Sequence, residues 1–217
     1  MNFLKRTGLC FAALVLGLAG AANGQTSTAP SFWTGLSTNG NQAWNDPLNW
    51  QGQVLPPNNG SAYIFFQNVA GSTSVYLPVS ESVNGVFFNG SFSYYNLFGN
   101  VAETGPNSYT STALTLGSGG LSFFPSDGST NSQLSLPVVV GADQTWTVGN
   151  GTLQLQGSYN GGTNLPGTGG LRGSGNVTLA GMNGGRLEID TASPGYSGNF
   201  TVMAGATLRL GDNGALV

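Results

Sequence analysis

Histidine is absent from this 217-residue chain, cysteine occurs once, and only 6% of the residues are charged. Without histidine there is no base for a Ser-His or Cys-His nucleophile and no imidazole to hold zinc. The one thiol, Cys10, lies inside an apolar N-terminal run that is expected to be removed, which leaves no disulfide and no cysteine metal site. Cations are scarcer still: beyond Lys5 and Arg6 there are only Arg172, Arg186 and Arg209, against eight acids. Phosphate binding needs clustered cations, so a nucleic-acid partner is excluded. Phosphate cradling is unsupported too, because no Gly-x-x-x-x-Gly-Lys-Ser/Thr loop occurs. No cofactor and no metal are expected.

The N-terminus has the form of a secretory leader. Lys5 and Arg6 supply the charged part, Gly8 to Ala21 the apolar part, and Ala22-Asn23-Gly24 a small-x-small cleavage site. Residues 1–24 are therefore expected to be removed, with Gln25 as the first mature residue and 25–31 as a flexible lead-in. The apolar run is shorter than the ~20 residues of a spanning helix. This implies a secreted or cell-surface protein that meets the membrane only through the leader during export.

What is abundant is glycine, with 36 residues, beside a 39% hydrophobic content too high for a disordered chain. Glycine with Asn, Ser and Thr between short apolar stretches predicts an all-β chain of many short strands and tight turns. In 32–117, read as an aromatic-rich N-terminal β region and cap, three of the four tryptophans fall close together: Trp33, Trp44 and Trp50. They are either a stacking platform for a sugar ring or a plug for the open end of stacked strands, and the plug is the favoured reading. Phe87-Phe88 and Tyr94-Tyr95 put rings on both faces of their strands, which leaves one ring of each pair outside or under a loop.

From 118 to 217 alternation becomes regular: Leu134/Leu136, Trp146/Val148, Leu153/Leu155, Val177/Leu179, Leu187/Ile189, Phe200/Val202 and Leu208/Leu210. From Leu155 to Leu179, and again from Leu187 to Leu208, the pattern recurs after roughly 20–25 residues, an interval that fits one turn of a parallel β-helix. An antiparallel β-sandwich is the competing architecture. The long glycine-rich stretch Gly157 to Gly170 favours the helix, since a sandwich prefers two-residue hairpins.

These residues resemble the autotransporter-associated β-strand repeat proteins, or passenger-associated transport repeats, of exported bacterial proteins. Tyr196-Ser197-Gly198, Thr201-Val202, Ala204-Gly205, Thr207-Leu208, Leu210-Gly211 and Asn213-Gly214-Ala215-Leu216 look like the end of that repeat. Leu136-Pro137, Gly141 to Trp146 and Gly151-Thr152-Leu153 are similar to its preceding segment, and Trp33-Thr34-Gly35, Trp44 and Asn49-Trp50 to an opening motif. The resemblance is strong only from about Leu134 onward. It implies a right-handed parallel β-helix and an exported structural or adhesin-like role, without catalysis. Neither a membrane barrel nor a sorting tail follows Val217, so the repeat region is expected to be truncated. Its open end is then a place for self-association or for further repeats.

One charged constellation stands out, Arg186-Leu187-Glu188-Ile189-Asp190. With Leu187 and Ile189 inward, Glu188 and Asp190 share the outer face roughly 7 Å apart, a separation within reach of an inverting glycosidase pair. A general acid needs burial to raise its pKa, and two acids beside an arginine on a solvated face stay ionised. The structural reading is preferred. Arg209 follows Glu188 by the same interval that separates Leu187 from Leu208, so it should stack beside Glu188 or Asp190 as a register-fixing ion pair. Gly161-Gly162-Thr163-Asn164 and Gly211-Asp212-Asn213-Gly214 lack the Gly-Gly-x-Gly-x-Asp calcium pattern and read as turns. The alternative to a structural module is an extracellular carbohydrate-binding or carbohydrate-active β-helix, with surface glycans as partners of Trp33, Trp44 and Trp50.

Overall fold

The computed structural model describes residues 29–217, apart from 38–41, 68–70, 72, 93, 106–107, 127–129, 158, 161–162, 166–167, 212–215 and 217. The expected leader, Cys10, most of the lead-in, and parts of the two glycine-rich turn motifs lie outside the described residues.

Within them the chain is all-β, built from short strands whose alternate side chains are buried. In Ser74–Leu77, for example, Val75 and Leu77 are buried while Ser74 and Tyr76 are not. The strands form one sheet of ten and one of six. Among the described residues, ladder pairing in both is parallel throughout. That overturns the sandwich alternative, because parallel neighbours cannot be joined by hairpins and each strand must pair with one a long connection away. The arrangement is compatible with a β-helix.

Register gives the length of each connection. Leu134 meets Leu155 and Leu187 meets Leu208 across the interval of 21 positions that also separates the bonded pairs Gln133–Gln154 and Glu188–Arg209. Val75 meets Leu97 after a similar interval, and Val177 meets Phe200 after 23, as Asn176 meets Asn199. From Leu97 to Leu134 the interval lengthens to 37, the same as from Tyr95 to Ser132, because it contains an antiparallel hairpin of Val101–Gly105 and Ser108–Ser111. From Leu155 to Ile189 it is 34, as from Gln154 to Glu188, and contains the two-stranded piece Tyr159–Asn160 and Thr163–Asn164. The supposed repeat from Leu155 to Leu179 is corrected: Leu155 belongs to the six-stranded sheet, whereas Leu179 pairs with Trp146 and Val202 in the other. Strand Leu114–Pro125 also runs through the boundary drawn between 117 and 118, so both regions share one sheet.

Because pairing is in register, like side chains stack inward in rows. Ile64, Val86, Leu121, Trp146 and Leu179 form one, and Leu97, Leu134, Leu155 and Ile189 another, all at most 1% exposed. Corners are held by backbone and amide contacts. Asp143 accepts from the backbone and side-chain nitrogens of Asn176, and the Asn176 side-chain oxygen accepts from both nitrogens of Asn199, a ladder through three successive layers. Gly120 has φ +65°, and a Cβ there would drive into the Thr145 carbonyl, so only glycine turns this corner without strain.

At the N-terminal end Trp33, Trp44 and Trp50 pack edge to face, with ring centroids 5.2 and 4.9 Å apart, against Phe66. At the other end the apolar face expected for Phe200/Val202 and Leu208/Leu210 is only partly covered by the described residues. Val202, Met203 and Leu210 are 43%, 51% and 50% exposed, while Phe200 and Leu208 pack on the core edge.

The indole cluster has a measurable weight. Trp50→Ala is expected to cost about 3–5 kcal/mol. Trp50→Phe should cost about 1–3 kcal/mol, because it orphans the buried Trp44 carbonyl that Trp50 Nε1 donates to at 2.7 Å. Urea unfolding of each variant measures both, and a change under about 1 kcal/mol for Trp50→Ala, far below a normal aromatic truncation, would remove the cluster from the fold's supports.

Candidate functional site

Side chains that do not face the core of the six-stranded sheet form three outward rows; one is Asn131, Thr152, Arg186, Thr207, and the other two reach the aromatic part of the sheet. The first of these two runs Ser74, Asn96, Gln133, Gln154, Glu188, Arg209. The second begins Tyr76, Phe98, Ser135, and Gln156, whose backbone nitrogen bonds to the Leu134 carbonyl, continues it. Aromatic character thus gives way to carboxamides and then to charge along the sheet.

From Gln133 onward the first row is a connected hydrogen-bond chain. Tyr94 Oη donates to Gln133 Oε1, Gln133 Nε2 to Gln154 Oε1 at 3.1 Å, and Gln154 Nε2 to Glu188 Oε2 at 2.8 Å. Arg209 Nη1 and Arg186 Nε both reach Glu188 Oε1, at 2.9 and 2.8 Å. Glu188 is therefore only 1% exposed although it points outward. Burial pushes its carboxyl up, but the hydrogen bonds from Gln154 and Arg209 and the charges of Arg186 and Arg209 outweigh this and hold it below the usual range. Both oxygens are committed, which leaves Glu188 in a structural position rather than one where it could hand a proton to a substrate.

Of the two acids expected beside Arg209 it is Glu188 that bonds it, and Asp190 takes no part in either ion pair. Register sets Arg209 opposite Glu188, and Gly211 follows directly after Leu210, the partner of Ile189. The Asp190 carboxylate fills the space where a side chain at Gly211 would project. Burial and then the charge of Glu188 raise its pKa, against the opposing pull of the two arginines.

Trp33, Trp44 and Trp50 are 1%, 2% and 2% exposed. Their faces are covered by one another and by Phe66, so they offer no platform to a sugar and belong to the core. The outward rings are elsewhere. Phe87 and Tyr94 are half-buried while Phe88 and Tyr95 are buried, and Phe32, Phe65 and Phe87 stack outside the ten-stranded sheet at centroid distances of 5.2 and 4.8 Å.

A concavity lies over the aromatic and amide parts of the six-stranded sheet. It is an open groove of about 530 Å³ lined by Tyr76, Asn96, Phe98, Gln133, Ser135 and Gln156, with Asn100 and Val101 along one side. Ser135 Oγ donates to Asn96 Oδ1 and accepts from Gln156 Nε2, both at 3.1 Å, so the floor is fixed. No family model, curated protein or solved structure matches this chain. The groove was not legible in the sequence, because Tyr76, Phe98 and Ser135 are distant and unequally spaced along the chain, and only the register joins them. Among the described residues no three acids come together as a metal-ligand group.

One acid faces inward. Glu81 is 5% exposed and stands in register with Leu114, at the end of the aliphatic row Leu114, Val138, Leu171. Burial raises its pKa from 4.5 to about 7. Between these values the folded chain keeps a proton that the unfolded chain has released, so stability is highest at the acid end of this window and falls as pH rises through it. Thermal unfolding is expected to show a lower Tm at pH 8 than at pH 5, and Glu81→Gln should remove most of that difference. An unchanged pH slope in Glu81→Gln would remove Glu81 as its source.

Proposed function

We propose that this chain is a bacterial, exported, non-enzymatic module of right-handed parallel β-helix form, acting as a structural or adhesin-like element at the cell surface or in the secreted fraction. The observation that carries the reading is the continuous parallel stacking from Ser31 to Leu210 around apolar inward rows. Such a body has a long, repetitive side wall and gains its stability without disulfides, which suits an exported element exposed to changing surroundings. The leader-like N-terminus and the resemblance to passenger-associated repeats support export. The absence of histidine supports a non-catalytic role, as does the commitment of both Glu188 oxygens to protein donors.

Expressed with its leader in a Gram-negative host, the chain is expected outside the cytoplasm with Gln25 as its first residue. Beads coated with the folded chain should be retained on cell layers above beads coated with the heat-unfolded chain. Cytoplasmic accumulation of uncleaved chain, or equal retention, would overturn the reading. So would release of reducing sugar from a polysaccharide that is abolished by Glu188→Gln or Asp190→Asn.

A further inference from the structure

We infer that the groove on the six-stranded sheet binds a neutral polysaccharide chain, with a sugar ring laid against Phe98 and its hydroxyls met by the carboxamides of Asn96, Asn100, Gln133 and Gln156. This rests on the adhesive reading and gives it a ligand class and a place.

The geometry begins with the outward row Tyr76, Phe98, Ser135, Gln156. Tyr76 covers one side of Phe98, with centroids 5.4 Å apart and planes 33° from parallel. On the other side the next layer supplies only the hydroxymethyl group of Ser135. The row therefore drops from ring to small side chain at one step, and the drop is a notch beside an aromatic face. The apolar C–H face of a pyranose fits such a surface, as aromatic rings with a polar surround favour ligands that are apolar on one side and wet on the other.

The chemistry of the lining selects further. A carboxamide both donates and accepts, as a sugar hydroxyl does, so each can serve the other in either direction. Among the described residues no Asp, Glu, Lys or Arg lines the groove, which gives an acidic sugar nothing to pair with and a neutral one no charge to desolvate. The partners are also held in advance. Asn96, Ser135 and Gln156 are linked through the Ser135 hydroxyl, and Gln133 is fixed between Tyr94 and Gln154, so little side-chain freedom is lost on binding. Asn100 and Val101, at the root of the hairpin Val101–Gly105 and Ser108–Ser111, form a wall along one side. The volume lies within the ~300–1,000 Å³ of small-molecule sites, and the open form lets a chain pass through rather than end inside.

Affinity electrophoresis of the exported chain in gels containing hydroxyethylcellulose, galactomannan, dextran or a soluble β-1,3-glucan tests this, with polygalacturonate and alginate as acidic counterparts. At least one neutral gel is expected to retard the protein. Phe98→Ala should weaken that retardation tenfold or more, as should Ser135→Phe, which puts a ring in place of a serine only 5% exposed at the groove floor and breaks its bonds to Asn96 and Gln156. Gln156→Ala, at a half-buried site, should weaken it severalfold, and Phe87→Ala on the other sheet should leave it unchanged. Thermal unfolding identifies any variant that has lost its fold, in which case Gln156→Ala decides. No retardation in any neutral gel, stronger retardation in the acidic gels, or wild-type binding by folded Ser135→Phe or Gln156→Ala would overturn the inference. A chain that is exported and retained on cells yet fails these gels sinks the glycan site alone, whereas one that is neither exported nor retained sinks the adhesive reading with it.

Discussion

Parallel backbone pairing between strands a full layer apart in the chain is the interaction on which the rest of this molecule depends. Each such pair must offset the closure entropy of its connection before it contributes anything, and that entropy grows only slowly with connection length. The short connection from Leu134 to Leu155 and the long one from Leu97 to Leu134 therefore differ by only about 0.5 kcal/mol in this respect. The chain is free to lengthen individual connections while keeping the stack. What it must keep is the register, because one residue of slip would turn every inward row outward.

Register is secured by side chains as well as by the backbone. The Asp143, Asn176, Asn199 ladder locks one corner through donors and acceptors carried from layer to layer. On the six-stranded sheet the chain from Tyr94 through Gln133 and Gln154 to Glu188 does the same along a flat face and ends in two arginines. A one-residue slip at Ile189 would turn Glu188 inward with its charge unpaired, a cost of several kcal/mol, whereas in register its covered carboxylate is matched by two arginines that stay in contact with water. The acid at Glu188 thus opposes the wrong register. Glu81 shows the converse: an acid that does face inward is tolerated at the end of a row, where burial favours its neutral form.

The alternation of Leu153/Leu155, Leu187/Ile189 and Val177/Leu179 was readable in the sequence because a strand buried on one face must show a period of two. The Glu188 to Arg209 spacing was readable too, since the connection between them carries no insertion. Other relations were hidden. Leu155 and Leu179 look like a repeat, yet they lie in different sheets because each layer places several strands and alternation does not say which sheet a strand joins. The tryptophans could be found but not assigned between surface and core, for a ring at an end of the stack has the same sequence neighbours in either role. The Tyr76, Phe98, Ser135 row could not be seen at all, because its members are brought together across two connections of unequal length.

That inequality of spacing bears on where a site can form. A stack with identical layers has identical rows, and its side wall offers ridges without hollows. A hollow requires a step in side-chain size between layers, or an excursion that rises above the wall. The six-stranded sheet has both at the same place, since the interval that brings Ser135 beside Phe98 is the one lengthened by the hairpin at Val101 to Ser111, and the root of that hairpin walls the groove. The outward stack Phe32, Phe65, Phe87 on the other sheet also steps from a ring to a serine, Ser122, so it is the hairpin-root residues Asn100 and Val101 that set the groove on the six-stranded sheet apart. The same insertion that hides the register in the sequence is therefore what gives the side wall a feature another molecule could recognise.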